Sequence, residues 1–215
     1  MEKCIITGNI PSAWKSYNTI MIPKPMKPGH YQEVSSWRPI ALLDSSYKIF
    51  TTALCNQLKK WCDINNLMHP MQKSLGPADG CAEHNFALRA LLEHYRDRLK
   101  SCLNISFLDI EEAFPSINIS VMLLILRLMG LSEESIGVIE SLYSDCDTSL
   151  MCGGYTTNKI TLSRGVRQGC PISMLLFNIT INPLLVKIEP INSGGSSIFF
   201  FHFPYFYYLN YFFSA

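Results

Sequence analysis

The sequence predicts an α+β fold, in which strands and helices of ordinary length follow one another without an internal repeat. Strand-forming residues at 17–22 and 103–108 support the β part, and the second run alternates apolar with mostly polar side chains. Residues 47–61 and 86–99 place apolar side chains at helical spacing. Because 48% of the 215 residues are hydrophobic, the chain has enough apolar side chains for a packed core.

The first third of the chain predicts a strand, a loop and a helix. The strand Tyr17–Ile22 runs into Pro23–Gly29, which contains too many prolines for a helix or central strand and is predicted to be a cationic loop. Asp44 occupies the N-cap position of the next helix, which should end near Asp63. The apolar positions of this helix are Tyr47, Phe50, Leu54, Leu58 and Trp61.

The middle of the chain predicts a second amphipathic helix and then a short strand. Six apolar residues share one helical face, and charged residues occupy the other. They are Phe86, Leu88, Leu91, Leu92, Tyr95 and Leu99. The alternating strand that follows delivers Asp109 at its C-terminal end.

Two capped helices are predicted next. Asn118 caps the first, which runs through Met129 and stops at Gly130, and Ser132 caps the second. The acidic residues Glu133 and Glu134 suit the positive end of that second helix.

A hairpin and a final helix complete the predicted elements. The segments Thr148–Cys152 and Lys159–Leu162 flank the turn-forming pair Gly153-Gly154. Pro171 suits the first turn of a helix that runs toward Lys187.

The net charge of +1 conceals an uneven distribution along the chain. Residues 1–60 carry eight Lys or Arg against three acids, and residues 101–150 carry one Arg against eight acids. Such a chain could place cations on a phosphate backbone and hold a divalent metal at its centre. Ordinary surface variation gives the same pattern, and the charge alone favours that second interpretation.

Cysteine usage and hydropathy predict an intracellular protein, in the nucleus or the cytoplasm, without a membrane partner. The eight cysteines never form a C-x-x-C pair and are predicted to be reduced thiols. The N-terminus lacks the apolar stretch of a secretory signal, and nothing before residue 190 is apolar over a length that spans a bilayer.

The last twenty residues differ from the rest in composition. Of the sixteen residues 198–213, eleven are Phe or Tyr, which no ordinary core requires. The segment is shorter than a membrane span and lacks the Val and Ala of natural spanning helices. We therefore expect residues 196–215 to be an aromatic-rich tail of non-native sequence.

Three segments, taken in order, resemble the motifs of reverse transcriptases from non-LTR (LINE-like) retrotransposons. They are SWRPIALL at 36–43, FLDIEEAF at 107–114 and RGVRQGCPIS at 164–173. Gln72 and the segment GCAEHN at 80–85 also resemble a connecting motif of this family, so that the resemblance covers residues 11 to about 190. Each motif alone is weak, whereas the ordered set is specific.

The resemblance implies the fingers and an incomplete palm of a right-hand polymerase, with the thumb absent. Residues 1–195 are then a partial reverse transcriptase domain. The activity implied is RNA-directed DNA polymerisation, in which a dNTP is joined to a primer 3′-hydroxyl on an RNA template. The family uses Mg²⁺, because two ions activate the hydroxyl and escort the triphosphate.

By the same resemblance, Asp109 is the catalytic carboxylate, and it shares metal binding with the main-chain carbonyl of Ile110. On its own, an Asp after a strand is more often a turn or cap residue. Relatives carry an aromatic residue and two adjacent Asp later in the chain, but no Asp follows Asp147 here. We therefore expect a chain truncated before that motif, with polymerase activity lost.

Six further positions match those that contact the nucleotide in the family. They are Lys24, Arg38, Ala113, Phe114, Gln168 and Gly169. Five of them have a plainer explanation: a solvated loop for Lys24, an ion pair for Arg38, core packing for Phe114, and a helix-entry turn for Gln168 and Gly169. Glu112 and Pro115 depart from the residues frequent in the family, but neither position is a metal ligand there.

Other functions remain open at the level of the sequence. The chain could be a noncatalytic RNA-binding remnant, an inert product that does not fold, or a relative of group II intron maturases. A cysteine-protease motif at Gln168–Pro171 is disfavoured because Pro171 does not match and no His signature lies upstream. A zinc site is disfavoured because His69, His84 and His94 lack paired ligand spacing.

Overall fold

The computed structural model describes residues 2–24, 32–74, 80–100, 104–192 and 197–202. The chain divides into two compact units, each assembled from separate stretches of sequence. The first unit comprises residues 1–67 and 114–180, and the second comprises residues 68–113 and 181–215. Within the described ranges, no helix combines the length and the apolar character that a membrane crossing requires.

The structure contains both helices and strands, so the predicted α+β class is confirmed. The helices are α1 (Glu2–Thr7), α2 (Ser45–Ile64), α3 (Gly80–Glu93), α4 (Ile119–Leu128), α5 (Glu133–Tyr143) and α6 (Ser173–Asn192). The strands are β1 (Ser16–Pro23), β2 (Trp37–Leu42), β3 (Asn104–Asp109), β4 (Asp147–Cys152), β5 (Tyr155–Thr156), β6 (Ile160–Thr161) and β7 (Ser197–His202).

A mixed sheet forms the framework of the first unit. Its strand order is β2-β1-β4-β5, with β6 also paired to β4. The β1–β2 pair is antiparallel, with Ile20 opposite Ile40, and the β1–β4 pair is parallel. The hydroxyls of Thr19 and Thr148 form a buried hydrogen bond of 2.8 Å between β1 and β4. The strand β2 therefore lies at one edge of this sheet.

The helix starts follow the sequence because each has the predicted cap. The Asp44 carboxylate accepts hydrogen bonds from the amides of Ser46 and Tyr47 at the start of α2. The side chains of Asn118 and Ser132 cap α4 and α5 in the same way. Gly130 has a positive φ of 89°, as expected for a glycine that ends a helix.

The hydrophobic core lies in the first unit. All of the largest fully buried side chains of the described residues belong to it, and they come mainly from α2, α4, α5 and the first half of α6. They are Tyr47, Phe50, Met122, Leu126, Ile136, Ile139, Leu142, Ile172, Leu175, Leu176, Phe177 and Ile179. Burial of one such side chain stabilises the fold by about 1.5–3 kcal/mol.

The second unit contains α3, a π-helical turn at His94–Leu99, and a two-stranded parallel sheet of β3 and β7. In this sheet Asp109 is the register partner of His202. The sequence predicted β3 and the position of Asp109 at its C-terminal end. No element was predicted in the aromatic segment, where β7 lies. The proposed boundary between a domain and a tail at residue 196 stays a prediction.

Two helices differ in detail from the sequence-based expectations. The apolar face predicted for α3 is not buried, because none of its residues is buried and Phe86 is 76% exposed. The last long helix begins at Ser173, two residues after Pro171, and continues past Lys187 to Asn192. The predicted cationic loop falls mostly on residues 25–31, which lie outside the described residues.

Candidate functional site

The segment that joins β6 to α6 contacts the edge strand β2. The amide of Ala41 donates a hydrogen bond of 2.8 Å to the carbonyl of Gln168. Gly169 has a φ of 109°, and a Cβ at this position would lie 3.1 Å from the carbonyl oxygen of Ala41. Only glycine takes this conformation easily at such a distance, so Gly169 allows the turn to approach β2. The turn covers part of an otherwise open sheet edge.

The same segment also contacts the turn that contains Phe114. The amide of Val166 donates to the carbonyl of Phe114 over 2.9 Å, and the amide of Gly165 donates to the carbonyl of Ile117 over 2.7 Å. A Cβ on Gly165, whose φ is 90°, would lie 2.9 Å from the Cα of Pro115. The first unit therefore brings together β2, the Phe114 turn and the Gln168–Gly169 pair.

Phe114 is a core residue. Its side chain is buried, and its ring lies 5.5 Å from that of Phe177 at an interplanar angle of 50°. This position agrees with the packing role that the sequence left open as the plainer explanation. A packed ring can also present an edge or a face to a ligand.

Arg38 lies in β2, and Lys24 lies just after the neighbouring strand β1 of the first unit. Arg38 is half-buried in β2 and is the register partner of Ile22 in β1. Lys24 follows β1, and its Nζ donates a hydrogen bond of 2.7 Å to the carbonyl of Ser35. Because this carbonyl carries no net charge, the hydrogen bond does not neutralise the positive charge of the Lys24 ammonium group.

Asp109, Ile110 and Ala113 belong to the second unit. Asp109 is exposed at the C-terminal end of β3, Ile110 is half-buried and Ala113 is buried. Glu112 in the turn between them has a positive φ of 48°, an unusual conformation for a residue with a side chain. The predicted site residues are thus divided between the units, with Lys24, Arg38, Phe114, Gln168 and Gly169 in the first.

The described residues do not fit a two-ion Mg²⁺ centre. No three His, Cys, Asp or Glu side chains among them are grouped in a way that could hold a metal ion. A pair of divalent ions needs several carboxylate oxygens, because hard cations take six or more oxygen ligands each. Asp109 with the carbonyl of Ile110 supplies too few.

Sequence reasoning gave no role to Arg167, which the structure places beside the candidate site. Its guanidinium is buried and surrounded by the rings of Tyr17, Tyr47 and Tyr143. Its position between Val166 and Gln168 in the third motif is the only sequence signal, since no periodicity marks an arginine as buried.

Comparison with known proteins gives the family directly. The profile described as reverse transcriptase (RNA-dependent DNA polymerase) matches residues 22–203. The chain belongs to the reverse transcriptase family. The match includes all three motifs and extends through β7 into the aromatic segment.

Similar proteins come from mobile elements. The reverse transcriptase chain is 29% identical over 195 residues to a retrovirus-related Pol polyprotein from the type-1 retrotransposable element R2 of Popillia japonica. It is 28% identical over 182 residues to the transposon TX1 149 kDa protein of Xenopus laevis. It is 29% identical over 185 residues to the Pol polyprotein of the type-2 retrotransposable element R2DM of Drosophila melanogaster.

These alignments cover most of this chain and a small part of each relative. They span 90%, 85% and 86% of the chain but 26%, 14% and 17% of the three relatives. The reverse transcriptase domain described here is therefore similar to those of LINE-like retrotransposons, as the three motifs predicted.

Proposed function

We propose that this chain forms the fingers and part of the palm of an RNA-directed DNA polymerase from a non-LTR retrotransposon. In that role it binds an RNA template, a DNA primer and a dNTP.

One observation carries the proposal. The Gln168–Gly169 pair is bonded to β2 through Ala41, and the segment just before it is bonded to the carbonyl of Phe114. Three positions that match nucleotide contacts in the family, on β2, in the Phe114 turn and in the Gln168–Gly169 pair, therefore belong to one packed arrangement. Such residues act together on one ligand only when the fold holds them in fixed relation.

Each side chain has a role that its chemistry suits. The guanidinium of Arg38 offers a planar set of donors for triphosphate oxygens, and Lys24 adds a compact positive charge. Phe114 lies under the sugar and disfavours a 2′-hydroxyl by its bulk. Gln168 supplies a side-chain amide, and Gly169 and Ala113 allow close approach of backbone to the nucleotide.

For the 215-residue sequence assayed by itself, we expect little or no nucleotidyl transfer. Asp109 is its one matched carboxylate, and no Asp follows Asp147. Without further carboxylates, the charge that develops in phosphoryl transfer is not neutralised, so we expect a rate lower by many orders of magnitude.

Binding and extension, measured on the same material, test this proposal. The purified chain is mixed with a fluorescein-labelled DNA primer annealed to an RNA template, and dNTPs are added with Mg²⁺ or Mn²⁺. We expect binding, detected as fluorescence anisotropy, that Arg38→Ala weakens and that Asp109→Asn leaves unchanged. We expect no extension.

Two outcomes would contradict the proposal in different ways. Failure of the folded chain to bind the primer–template would exclude the function. Extension that Asp109→Asn abolishes would instead show that the carboxylates present suffice. Binding of RNA alone, with no preference for the primer–template or response to dNTPs, would favour the noncatalytic RNA-binding remnant.

A further inference from the structure

Arg167 is a buried cation that has no anionic partner among the described residues. Its side chain belongs to a residue only 4% exposed, and no carboxylate in the described part of the chain lies within ion-pair distance. Removing a charge from water is strongly unfavourable unless the surroundings replace the lost hydration. The groups around Arg167 must therefore compensate for its burial.

Three tyrosine rings supply part of that compensation. The guanidinium carbon lies 4.9 Å from the ring centroid of Tyr17, 5.0 Å from that of Tyr47 and 5.6 Å from that of Tyr143. A cation at these distances is attracted to the electron-rich ring face. Burial raises the pKa of Tyr17 to about 12 and raises the pKa values of Tyr47 and Tyr143 as well, so all three phenols are neutral at physiological pH.

Direct hydrogen bonds fix the orientation of the guanidinium. Its Nη2 donates to the carbonyl of Leu142 over 2.6 Å and to the Sγ of Cys146 over 2.7 Å. Leu142 lies in the last turn of α5, where carbonyls lack partners within the helix. The Nε and Nη1 atoms meet no hydrogen-bonding atom among the described residues, which leaves the tyrosine ring faces as their weak acceptors.

The same tyrosines also hold the chain that follows Arg167. The Tyr47 hydroxyl is 3.4 Å from the Sγ of Cys170, and the Tyr143 hydroxyl is 3.4 Å from the Oγ of Ser173. A backbone hydrogen bond of 3.2 Å from the amide of Cys170 to the carbonyl of Arg167 closes the turn. Ring faces thus contact Arg167 at the start of the turn, the Tyr47 hydroxyl contacts Cys170 at its end, and the Tyr143 hydroxyl contacts Ser173 at the start of α6.

We propose that Arg167 is a positioning residue, whose caged guanidinium fixes the 167–170 turn against β2 and thereby orients Gln168 and Gly169. This inference rests on the proposed function, in which those two residues contact the nucleotide. A neutral side chain of similar length would fill the cage but would not donate to the carbonyl of Leu142. The turn would then lose its anchor while the surrounding core stayed packed.

Hydrogen exchange tests the positioning role without any ligand. The reporter is the amide of Ala41, which is bonded to Gln168, and the reference is the amide of Met122 inside α4. In Arg167→Met we expect exchange at Ala41 to be roughly tenfold faster than in the wild type, relative to Met122. Arg167→Lys, which keeps the positive charge among the tyrosine rings, should show a smaller effect. It replaces Arg167→Met in this experiment if Arg167→Met does not fold.

Equal acceleration at Ala41 and Met122 would show that Arg167 acts only on global stability and would overturn the inference. Unchanged exchange at Ala41 would overturn it as well. The control Gly130→Ala, which strains the distant end of α4, should accelerate both amides together.

Primer–template binding, measured below the melting temperature of every variant, separates the inference from the proposed function. We expect Arg167→Met and Gln168→Ala to weaken binding by similar factors, roughly tenfold each. Weaker binding in Gln168→Ala but not in Arg167→Met would contradict only the role of Arg167. Wild-type binding in Gln168→Ala would contradict the proposed function of the turn, and with it any role of Arg167 in binding.

Discussion

Single residues set how closely the motif segments of this reverse transcriptase domain approach one another. Gly165 and Gly169 lie where the chain meets the backbone of the Phe114 turn and of β2, respectively. Both have positive φ and nearby backbone atoms, so glycine is required at each position for its backbone conformation and for its lack of a side chain. Gly130 has the conformational requirement alone, because a Cβ there would meet no atom within 4 Å.

This contrast gives a matched pair of substitutions. Gly165 and Gly130 have φ values of 90° and 89°, but a Cβ on Gly165 would lie 2.9 Å from the Cα of Pro115. We expect Gly130→Ala to lower the free energy of unfolding by about 1 kcal/mol and Gly165→Ala to lower it by about 1–3 kcal/mol more. Urea denaturation of both variants measures the difference. Equal losses would show that Gly165 is needed only for its φ.

The tyrosines around Arg167 predict a loss of stability at alkaline pH. Burial raises the pKa of Tyr17 to about 12 in the folded state, from about 10 when it is unfolded. Above pH 10 the unfolded chain releases the phenol proton and the folded chain retains it, so the free energy of unfolding falls between pH 10 and 12. The contribution of Tyr17 is at most about 1.4 kcal/mol per pH unit.

Denaturant titrations at pH 9, 10, 11 and 12 measure this dependence. Tyr17→Phe removes the ionisable group and keeps the ring, so its free energy of unfolding should fall less steeply with pH than that of the wild type. Tyr155→Phe, at a position 83% exposed, controls for the loss of a phenol. Identical slopes for the wild type and Tyr17→Phe would contradict the burial of the Tyr17 hydroxyl.

At the scale of elements, helix starts and strand positions were predictable because they depend on neighbouring residues. The caps Asp44, Asn118 and Ser132 act on amides two or three positions away, and the structure confirms each of them. The alternation before Asp109 likewise predicted β3. Capping hydrogen bonds and the spacing of apolar side chains both depend on residues that are close together in the sequence.

Packing partners were not predictable in the same way. Periodicity predicted an apolar face on α3, but it gives the direction of a face and not what covers it, and no residue of α3 is buried. The cage of Arg167 was missed because it joins β1, α2 and α5, which are far apart in the sequence. The division of the candidate site residues between two units also depends on contacts that no single motif contains.

Two phenylalanines test the exposure of α3. Phe86 in α3 is 76% exposed, whereas Phe50 in α2 is 1% exposed. We expect Phe86→Ala to change the free energy of unfolding by less than about 0.5 kcal/mol and Phe50→Ala to lower it by about 3–5 kcal/mol. Thermal melts followed by circular dichroism compare the two variants. A large loss in Phe86→Ala would show that the apolar face of α3 is covered.

At the scale of the whole molecule, the charge pattern matters more than the net charge of +1. The basic residues of the first sixty positions and the acids of 101–150 lie in separate parts of the sequence. Attraction to a phosphate backbone depends on local cations, and it weakens as salt competes with them. A nearly neutral chain can therefore bind nucleic acid with a clear salt dependence.

The salt dependence of RNA binding should distinguish cations that are bonded to neutral groups from cations that form ion pairs with acidic side chains. Lys24 donates to a neutral carbonyl, whereas Arg89 forms an ion pair of 2.9 Å with Glu93. For binding to a single-stranded RNA, we expect Lys24→Ala to make the slope of log K against log salt less steep by about 0.7. Arg89→Ala should leave the slope unchanged, because the charge of Arg89 is compensated by Glu93.

Anisotropy titrations between about 50 and 200 mM salt measure both slopes. A wild-type slope in Lys24→Ala, with binding that is still salt-dependent, would show that other cations contact the phosphates. Lys24 would then not belong to the proposed site.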